Sequence, residues 1–324
     1  MAVCVSGAGL ALQTVAAQTL GAALLVLNKG ENALAIVDPS SGKVLGSVAT
    51  GVGPHEIVAS NDGKFAFVTN YGEREGGTTL SMIDLAAQKE MRRVALGALR
   101  RPHGAIFADG KVYFTAEANK LIARYDPAAD RVDWMMGTGQ EYTHMLVASK
   151  DLGQIFTANI GSDSVTAIER TADGNGWKET QIAVGKGPEG IDISPDGKEV
   201  WAANSQSGTI SIIDAMTHKV LHALDVKTKH SNRLKFTLDG TLALVSDAGS
   251  DDVVVVDVAS RKERARIKVG RVPLGILMEP GGARAYVAAS EDQSVAVIDL
   301  KTLQVTKHIA AGKDVDGLAW SVAH

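Results

Sequence analysis

Runs of alternating apolar residues recur along the whole chain, and each run ends at an acidic residue. The acidic positions are 42 to 46 residues apart: Asp38, Asp84, Asp126, Glu169, Asp214, Asp257 and Asp299. A repeat of about 40–45 residues that contains several short strands is typical of one β-propeller blade. The pattern therefore predicts an all-β fold, a seven-bladed β-propeller.

The repeat from His55 to Leu96 predicts how one blade is built. "HEIVAS" predicts strand a, "NDGK" an Asp-Gly turn, "FAFVTN" strand b, "TLSMIDL" strand c and "MRRVAL" strand d. The same order recurs in the other repeats, so each blade is predicted to be a four-stranded antiparallel sheet. The acidic residue that ends strand c should cap the turn between strands c and d, which is an architectural role.

The two ends of the repeat array lack complementary strands. The last strand a, "DGLAWS" from Asp316, has no strand b after it, and the first strand b, which ends at Asn28, has no strand a before it. We predict that the N- and C-terminal strands complete one blade and close the ring, which removes exposed strand edges. Residues 21–324 then form a single propeller domain.

Residues 1–20 lie outside the repeat and are apolar, uncharged and rich in small residues, with Val15, Ala16 and Ala17 near their end. This pattern predicts a signal peptide and a periplasmic or secreted protein. The alternative is an additional N-terminal strand. We expect a monomer whose mature form is not stably inserted in a membrane.

Charge and cysteine content restrict the chemistry. The 324 residues carry a net charge of −4, and no run of lysines and arginines forms the basic stripe that phosphate binding requires, so nucleic acid is not an expected partner. Cys4 is the single cysteine and lies within the predicted leader. Without a C-x-x-C-H sequence, covalent haem c is not expected.

The predicted first residue of strand a is histidine in three of the seven repeats. Because strand a is innermost in a propeller, these residues form a ring around the tunnel mouth: His55, His103, His144, Glu189, Asn232, Leu274 and Asp316. Imidazoles and a carboxylate on rigid strands suit Zn²⁺ or Cu²⁺, which makes His55, His103, His144 and Glu189 the candidate metal ligands. Alternatively, each histidine bonds a neighbouring backbone carbonyl and is only structural.

Further candidates for ligand binding lie on the same rim. The ends of the b strands contribute Asn70, Glu117, Asn159 and Asn204, although Asn at a strand end also satisfies its own turn. Arg101 and Arg233 flank the ring and, with Tyr142, could bind an anionic group. Surface ion pairs are the alternative for these arginines.

The strands "FVTN" and "VWAAN", the Pro-Asp-Gly turn and the "GTISIID" strand resemble the YVTN-type repeat of YncE-like bacterial seven-bladed propellers over residues 22–324. Similar repeats occur in lactonase-like propellers and in the haem d1 domain of nitrite reductases. The resemblance implies the fold. It leaves the function open, because the family includes surface-layer, DNA-binding and uncharacterised exported proteins.

Three functions are compatible with these features. The first is an exported propeller that binds a small molecule or a protein at its tunnel-mouth rim, through a divalent transition metal held by His and Glu. The second is a lactonase-like hydrolase or a lyase that uses the same residues for acid–base chemistry. The third is a non-catalytic scaffold for protein interactions.

Overall fold

The computed structural model describes residues 21–323. Within that range, 28 strands form seven four-stranded antiparallel sheets, and each sheet is one blade. The predicted all-β seven-bladed propeller is therefore confirmed. The predicted signal peptide and Cys4 lie outside the described residues.

Strand a of each blade is next to the tunnel and strand d is outermost. From the inside outward, the strands are β28 (Val315–Ser321), β1 (Ala23–Asn28), β2 (Ala33–Val37) and β3 (Val44–Ala49) in blade 1; β4 (Pro54–Ala59), β5 (Phe65–Asn70), β6 (Thr79–Asp84) and β7 (Lys89–Ala95) in blade 2; and β8 (Pro102–Ala108), β9 (Lys111–Ala116), β10 (Leu121–Asp126) and β11 (Arg131–Gly137) in blade 3. In the same order, blade 4 contains β12 (Thr143–Ala148), β13 (Gln154–Asn159), β14 (Ser164–Arg170) and β15 (Trp177–Ala183), and blade 5 contains β16 (Pro188–Ile193), β17 (Glu199–Asn204), β18 (Thr209–Asp214) and β19 (Val220–Asp225). Blade 6 contains β20 (Ser231–Phe236), β21 (Leu242–Asp247), β22 (Asp252–Asp257) and β23 (Lys262–Lys268), and blade 7 contains β24 (Pro273–Met278), β25 (Arg284–Ala289), β26 (Ser294–Asp299) and β27 (Gln304–Ala310).

Short 3₁₀ turns follow the b strands of blades 1, 3 and 4, at Lys29–Glu31, Glu117–Asn119 and Ile160–Ser162. Among residues 21–323, no helix has the length and apolar character needed to cross a bilayer.

The hydrophobic core lies between the blades. Strands b and c are apolar on both faces because each face packs against a neighbouring blade, whereas the d strands alternate towards solvent. Trp201, Phe114 and Phe156 are completely buried in these layers. Burial of a side chain of this kind stabilises the fold by roughly 1.5–3 kcal/mol.

The ring closes through both ends of the repeat array, as predicted. Strand β28 pairs antiparallel with β1, with Leu24 opposite Trp320 and Leu25 opposite Ala319. The innermost strand of blade 1 therefore comes from the C-terminal part of the chain. β28 also packs beside β4 and β24 of the neighbouring blades, so it joins blade 1 to blades 2 and 7.

The predicted caps of the c–d turns are confirmed in six blades. In these blades the carboxylate that ends strand c accepts backbone N–H groups two or three residues later, as at Asp214, where the N–H of Thr217 donates at 2.7 Å. The equivalent residues are Asp38, Asp84, Asp126, Asp257 and Asp299. Glu169 differs, because its carboxylate lies near Lys178 and His218 instead.

A β-bulge occurs at the start of strand a in every blade. In blade 2, for example, Pro54 pairs with Asn70 and Glu56 pairs with Thr69, so that His55 has no partner on strand b. The unpaired residues of all seven bulges include the predicted ring position. A bulge redirects side chains and is frequent beside functional sites, and here it frees the ring residue from its own sheet.

Glycines just after the ring position allow neighbouring a strands to approach closely. A Cβ added at Gly275 would lie 2.3 Å from the carbonyl oxygen of Asp316, and one at Gly317 would lie 2.5 Å from that of His55. Gly104 and Gly190 have the same role in blades 3 and 5. The tunnel is therefore narrow at the level of the ring positions, and side chains from different blades can meet there.

Candidate functional site at the tunnel mouth

The structure brings together the three predicted ring histidines. The ring centroids of His55 and His103 are 4.2 Å apart with planes at 88°, and those of His103 and His144 are 3.7 Å apart with planes at 32°. The three imidazoles come from adjacent blades 2, 3 and 4. They form one continuous cluster at the tunnel mouth.

His103 is the middle imidazole of this cluster and is fully buried. Neither of its ring nitrogens has a hydrogen-bond partner among residues 21–323. Burial, together with the neighbouring His144 and His55, lowers the pKa of His103 well below its usual value. A neutral imidazole with two unpaired nitrogens is costly in a protein interior, so this position requires an explanation beyond packing.

His55 lies beside a buried carboxylate. Its Nδ1 atom is 2.6 Å from Oδ2 of Asp316 and 3.3 Å from Nζ of Lys29. The Asp316 oxygen has no partner at a hydrogen-bonding angle within the described chain, so the attraction is mainly coulombic. Burial opposes ionisation of Asp316, but His55, Arg233 and Lys29 outweigh it and lower its pKa to about 2.

His144 belongs to a series of hydrogen-bonded side chains that leads away from the imidazole cluster. Its Nδ1 atom is 2.9 Å from Oε1 of Glu117. The hydroxyl of Tyr71 donates to the other oxygen of Glu117, and Arg101 donates to the Tyr71 hydroxyl at 2.8 Å. A proton on Nδ1 of His144 satisfies Glu117 and leaves the Nε2 lone pair free.

Glu189 faces Nε2 of His144 from blade 5. Its Oε1 atom is 3.9 Å from that nitrogen and accepts a hydrogen bond of 2.5 Å from Asn232. Its Oε2 atom is 3.9 Å from Nε2 of His230. The predicted carboxylate is therefore next to the imidazole cluster, and His230 adds a fourth imidazole at its edge.

Arg233 lies deeper in the tunnel than the histidine cluster and is not next to Arg101. It is buried, and its guanidinium donates across the tunnel to Glu56 of blade 2 and at 3.1 Å to the side chain of Asn232. Although burial opposes the charge, Glu56, Asp316 and Glu189 raise the pKa of Arg233. The Glu56–Arg233 pair spans the tunnel just below the histidines.

The imidazoles are not arranged as metal ligands in this conformation. Within residues 21–323, no group of three or more His, Cys, Asp or Glu side chains has the geometry to hold a metal ion. The lone pairs of an imidazole lie in its ring plane, and these rings pack face to face or edge to face. To share an ion at 2.0–2.1 Å, the typical distance for zinc, the rings must turn about their side-chain bonds.

The predicted asparagines are placed inside their own blades. Asn70, Asn159 and Asn204 are fully or almost fully buried, and each donates to hydroxyl groups on the adjoining c strand. The structure therefore does not bring them together with the histidines. In blade 3 the equivalent position is Ala116, and Glu117, one residue later, does reach the cluster.

A cleft beside the imidazole cluster contains two other predicted residues. It has a volume of about 240 Å³ and is lined by Arg101, Glu117, Ala118, Glu141 and Tyr142. Arg101 and Tyr142 both have left-handed backbone conformations, with φ of 55° and 52°. The residue directly before strand a is also left-handed at Gly53, Gly187, Val272 and Asp314, so this conformation belongs to the repeat and is not specific to the cleft.

Sequence reasoning missed Tyr71, Lys29 and Glu56. Tyr71 and Lys29 directly follow the ends of strands b, as Glu117 does, so aligning the repeats on Glu117 would have identified them. Glu56 directly follows a ring histidine. Its role depends on a partner 177 residues away, and no local pattern predicts that pairing.

The sequence matches two family models, each over more than half of the chain. The YncE-like β-propeller model matches residues 1–183, and the cytochrome D1 heme domain model matches residues 98–283. The uncharacterized protein YncE of Salmonella typhimurium is 27% identical over 168 residues, which is 50% of this chain and 46% of that protein. The chain thus spans about half the length of this curated relative.

Solved structures show the same fold at low identity. The periplasmic gluconolactonase PpgL of Pseudomonas aeruginosa superposes with a TM-score of 0.76 at 20% identity, over 94% of this chain and 99% of that one. A functionally unknown protein from Desulfotomaculum acetoxidans gives the same TM-score at 15% identity, over 93% and 99% of the two chains. At these identities the likeness concerns the fold alone.

The mouth does not fit the haem that the second family model implies. His103 is fully buried between two imidazoles at centroid distances of 3.7 and 4.2 Å, which leaves no room for a flat macrocycle against its nitrogens. His144 is directed to Glu117 on one side and Glu189 on the other. A haem therefore has no part in the proposed function.

Proposed function

The chain belongs to the YncE-like β-propeller family, and on that premise we propose that it binds a divalent transition metal ion at its tunnel mouth and a small ligand in the adjoining cleft. The imidazoles of His55, His103 and His144 hold the ion, with the Glu189 carboxylate as the fourth protein ligand. Zn²⁺ and Cu²⁺ are the ions that such a donor set favours.

One observation carries this proposal. His103 is a fully buried, neutral imidazole with two unpaired nitrogens, and it lies between two other imidazoles. Coordination to a cation compensates the cost of the unpaired lone-pair nitrogen, whereas apolar packing does not.

The surrounding carboxylates support the same conclusion. Asp316 lies beside Nδ1 of His55, and Glu117 beside Nδ1 of His144. Metal-bound histidines commonly donate their second ring N–H to a carboxylate, which fixes the tautomer and raises the basicity of the other nitrogen. The bond to Glu117 makes His144 present Nε2 to the tunnel mouth, whereas Asp316 attracts His55 by its charge alone.

The cleft residues have a separate role. An ion held by the histidines would supply Lewis acidity to an oxygen atom of the ligand. Arg101 lies at one wall of the cleft and is fixed by Tyr71. Its guanidinium attracts an anionic or strongly polar group, and the exposed ring of Tyr142 covers the opening.

The test is a calorimetric titration of protein purified without a histidine tag, after treatment with a chelator. We expect one Zn²⁺ or Cu²⁺ ion per chain and a rise in melting temperature on metal addition. His103→Ala should remove stoichiometric binding. His308→Ala, at an exposed site on the outer strand β27, is the matched control and should retain it.

Two results contradict the proposal. One is an absence of stoichiometric metal together with an unchanged melting temperature. The other is equal binding by the wild-type protein and His103→Ala while His308→Ala lowers the stoichiometry, which would assign the ion to surface histidines.

A second candidate function is a lactonase-like hydrolase. The chain that joins Arg101, Tyr71, Glu117 and His144 resembles a general base held by a carboxylate, and the fold is shared with a gluconolactonase. Turnover of gluconolactone without added metal, lost in His144→Gln with the fold intact, would favour this function over metal binding.

Export remains part of the proposal. Its support is the apolar, uncharged character of residues 1–20. Fractionation of cells that express the full chain tests it, with recovery in the periplasm or medium expected. Recovery of the uncleaved chain with cytoplasmic markers would contradict export.

A further inference from the structure

A second cavity lies inside the tunnel, below the Glu56–Arg233 pair. Its volume is about 380 Å³, and its walls come from the a strands of blades 1, 2, 3, 4, 6 and 7. This volume falls within the range of small-molecule sites. Because the ion pair crosses the tunnel at the inner end, the cavity opens to the face opposite the histidines.

Most of the cavity wall is apolar. Ile106, Leu277 and Ala319 line its middle part, and the rings of Phe107 and Trp320 lie at its outer end. From the third to the sixth residue of an a strand, this wall is about 10 Å long. An apolar or aromatic body of that length would displace water from it.

One cation on this wall retains hydrogen-bonding capacity. Lys235 is two residues after Arg233 on β20, and both residues line the cavity. Arg233 is engaged by Glu56 and Asn232. The ammonium of Lys235 is 3.4 Å from Oδ1 of Asp192, the one partner that residues 21–323 provide for its three donors.

The carboxylate that contacts Lys235 is itself shared. Oδ2 of Asp192 accepts the backbone N–H of Phe236 at 3.0 Å. Asp192 is therefore held against the β20 backbone and does not line the cavity. A ligand carboxylate can approach Lys235 from the tunnel without displacing an existing strong ion pair.

We propose that this cavity binds a small amphipathic carboxylate, whose apolar body packs against Ile106, Leu277 and Trp320 and whose carboxylate contacts Lys235. This site is independent of the proposed metal site, because the Glu56–Arg233 pair separates the two. The outcome of the binding experiment for this cavity therefore leaves the metal proposal unchanged.

The experiment compares two probes that differ in charge. 1-Naphthoate and 1-naphthamide have the same aromatic body, and both are titrated calorimetrically into the full chain in the presence of a metal chelator. We expect the carboxylate to bind wild-type protein roughly tenfold more tightly than the amide, which is typical of a hydrogen bond to a charged group. Lys235→Met should remove this preference, whereas Lys198→Met, whose lysine is 80% exposed elsewhere, should retain it.

A second variant tests the location. Leu277→Trp fills the cavity, and we expect it to abolish binding of both probes while the melting transition is retained. The proposal is overturned if neither probe binds wild-type protein, if Lys235→Met retains the preference for the carboxylate, or if a folded Leu277→Trp variant binds as the wild type does.

Discussion

The c–d turns and the ring positions both contribute one residue per blade, but they have diverged very differently. Six turns keep an aspartate that accepts the same backbone N–H groups. The ring positions hold five residue types, and their contacts cross from blade to blade. The turn residue is satisfied within its own repeat, and the same cap is found in six of the seven blades. The residue at the ring position contacts residues of other blades near the tunnel axis, so it can differ from one blade to the next.

The largest effect should follow from removal of the strand that closes the ring. Deletion of residues 315–324 removes β28, exposes the edge of β1 and unpacks blades 2 and 7 from blade 1. We expect loss of the cooperative thermal transition in scanning calorimetry, because all blades depend on closure. A single transition near the wild-type temperature would show that six complete blades suffice and would contradict this account of closure.

His103→Leu should separate the site from the architecture. Leucine removes two unpaired buried nitrogens, so we expect the metal-free variant to be at least as stable as wild type at pH 7, in contrast to most core substitutions. Urea unfolding measures this difference. A loss of several kcal/mol would mean that His103 is a structural residue with a partner in solution.

The same variant predicts a pH dependence with a definite sign. Burial lowers the pKa of His103 in the folded state, so below pH 6.5 the unfolded chain takes up a proton that folded His103 does not bind. Wild-type stability should therefore fall relative to His103→Leu by about 1.4 kcal/mol per pH unit as the pH decreases from 6.5. Parallel pH profiles of the two unfolding free energies would contradict this.

Asp299→Ala should have a smaller and purely structural effect. The carboxylate accepts the backbone N–H groups of Lys301 and Thr302 in the c–d turn of blade 7. The turn is exposed, so we expect a loss of about 1 kcal/mol in urea unfolding, with metal stoichiometry unchanged. A change in metal binding would contradict the separation between turn and ring.

The smallest effect is a spectroscopic one. Burial and the Glu117 carboxylate raise the pKa of Tyr71 to about 12, despite the neighbouring Arg101. The stabilising contribution of Tyr71 is therefore present below pH 10 and is lost as the pH rises towards 12. Absorbance titration of wild type minus Tyr71→Phe should show one phenol that ionises near pH 12. A difference midpoint near pH 10 would contradict the Tyr71–Glu117 contact.

The fold could be predicted from the sequence because its determinants are local and repeated. The strand ending at Asn28 and the unpaired strand from Asp316 were enough to predict closure. Turn residues such as Asp214 also act within their own repeat. The bulges and the close approach at Gly275 were not predicted, because they depend on register and on contacts between blades.

The candidate site could be predicted only in part. Equivalent ring positions identified His55, His103 and His144, since the propeller brings them to one axis. The sequence placed Arg233 beside the ring positions but did not identify its partner Glu56, because the two residues meet across the tunnel from blades 6 and 2. Side-chain direction and long-range pairing are set by tertiary packing, which a single sequence does not encode in a readable pattern.

The most direct test of the central claim is anomalous diffraction at the zinc edge from crystals of the full chain grown with Zn²⁺. The account predicts one strong peak at the tunnel mouth, about 2.0–2.1 Å from nitrogens of His55, His103 and His144, and its loss in His103→Ala. A peak only at surface histidines such as His308, or an empty mouth with the three imidazoles still stacked, would contradict it.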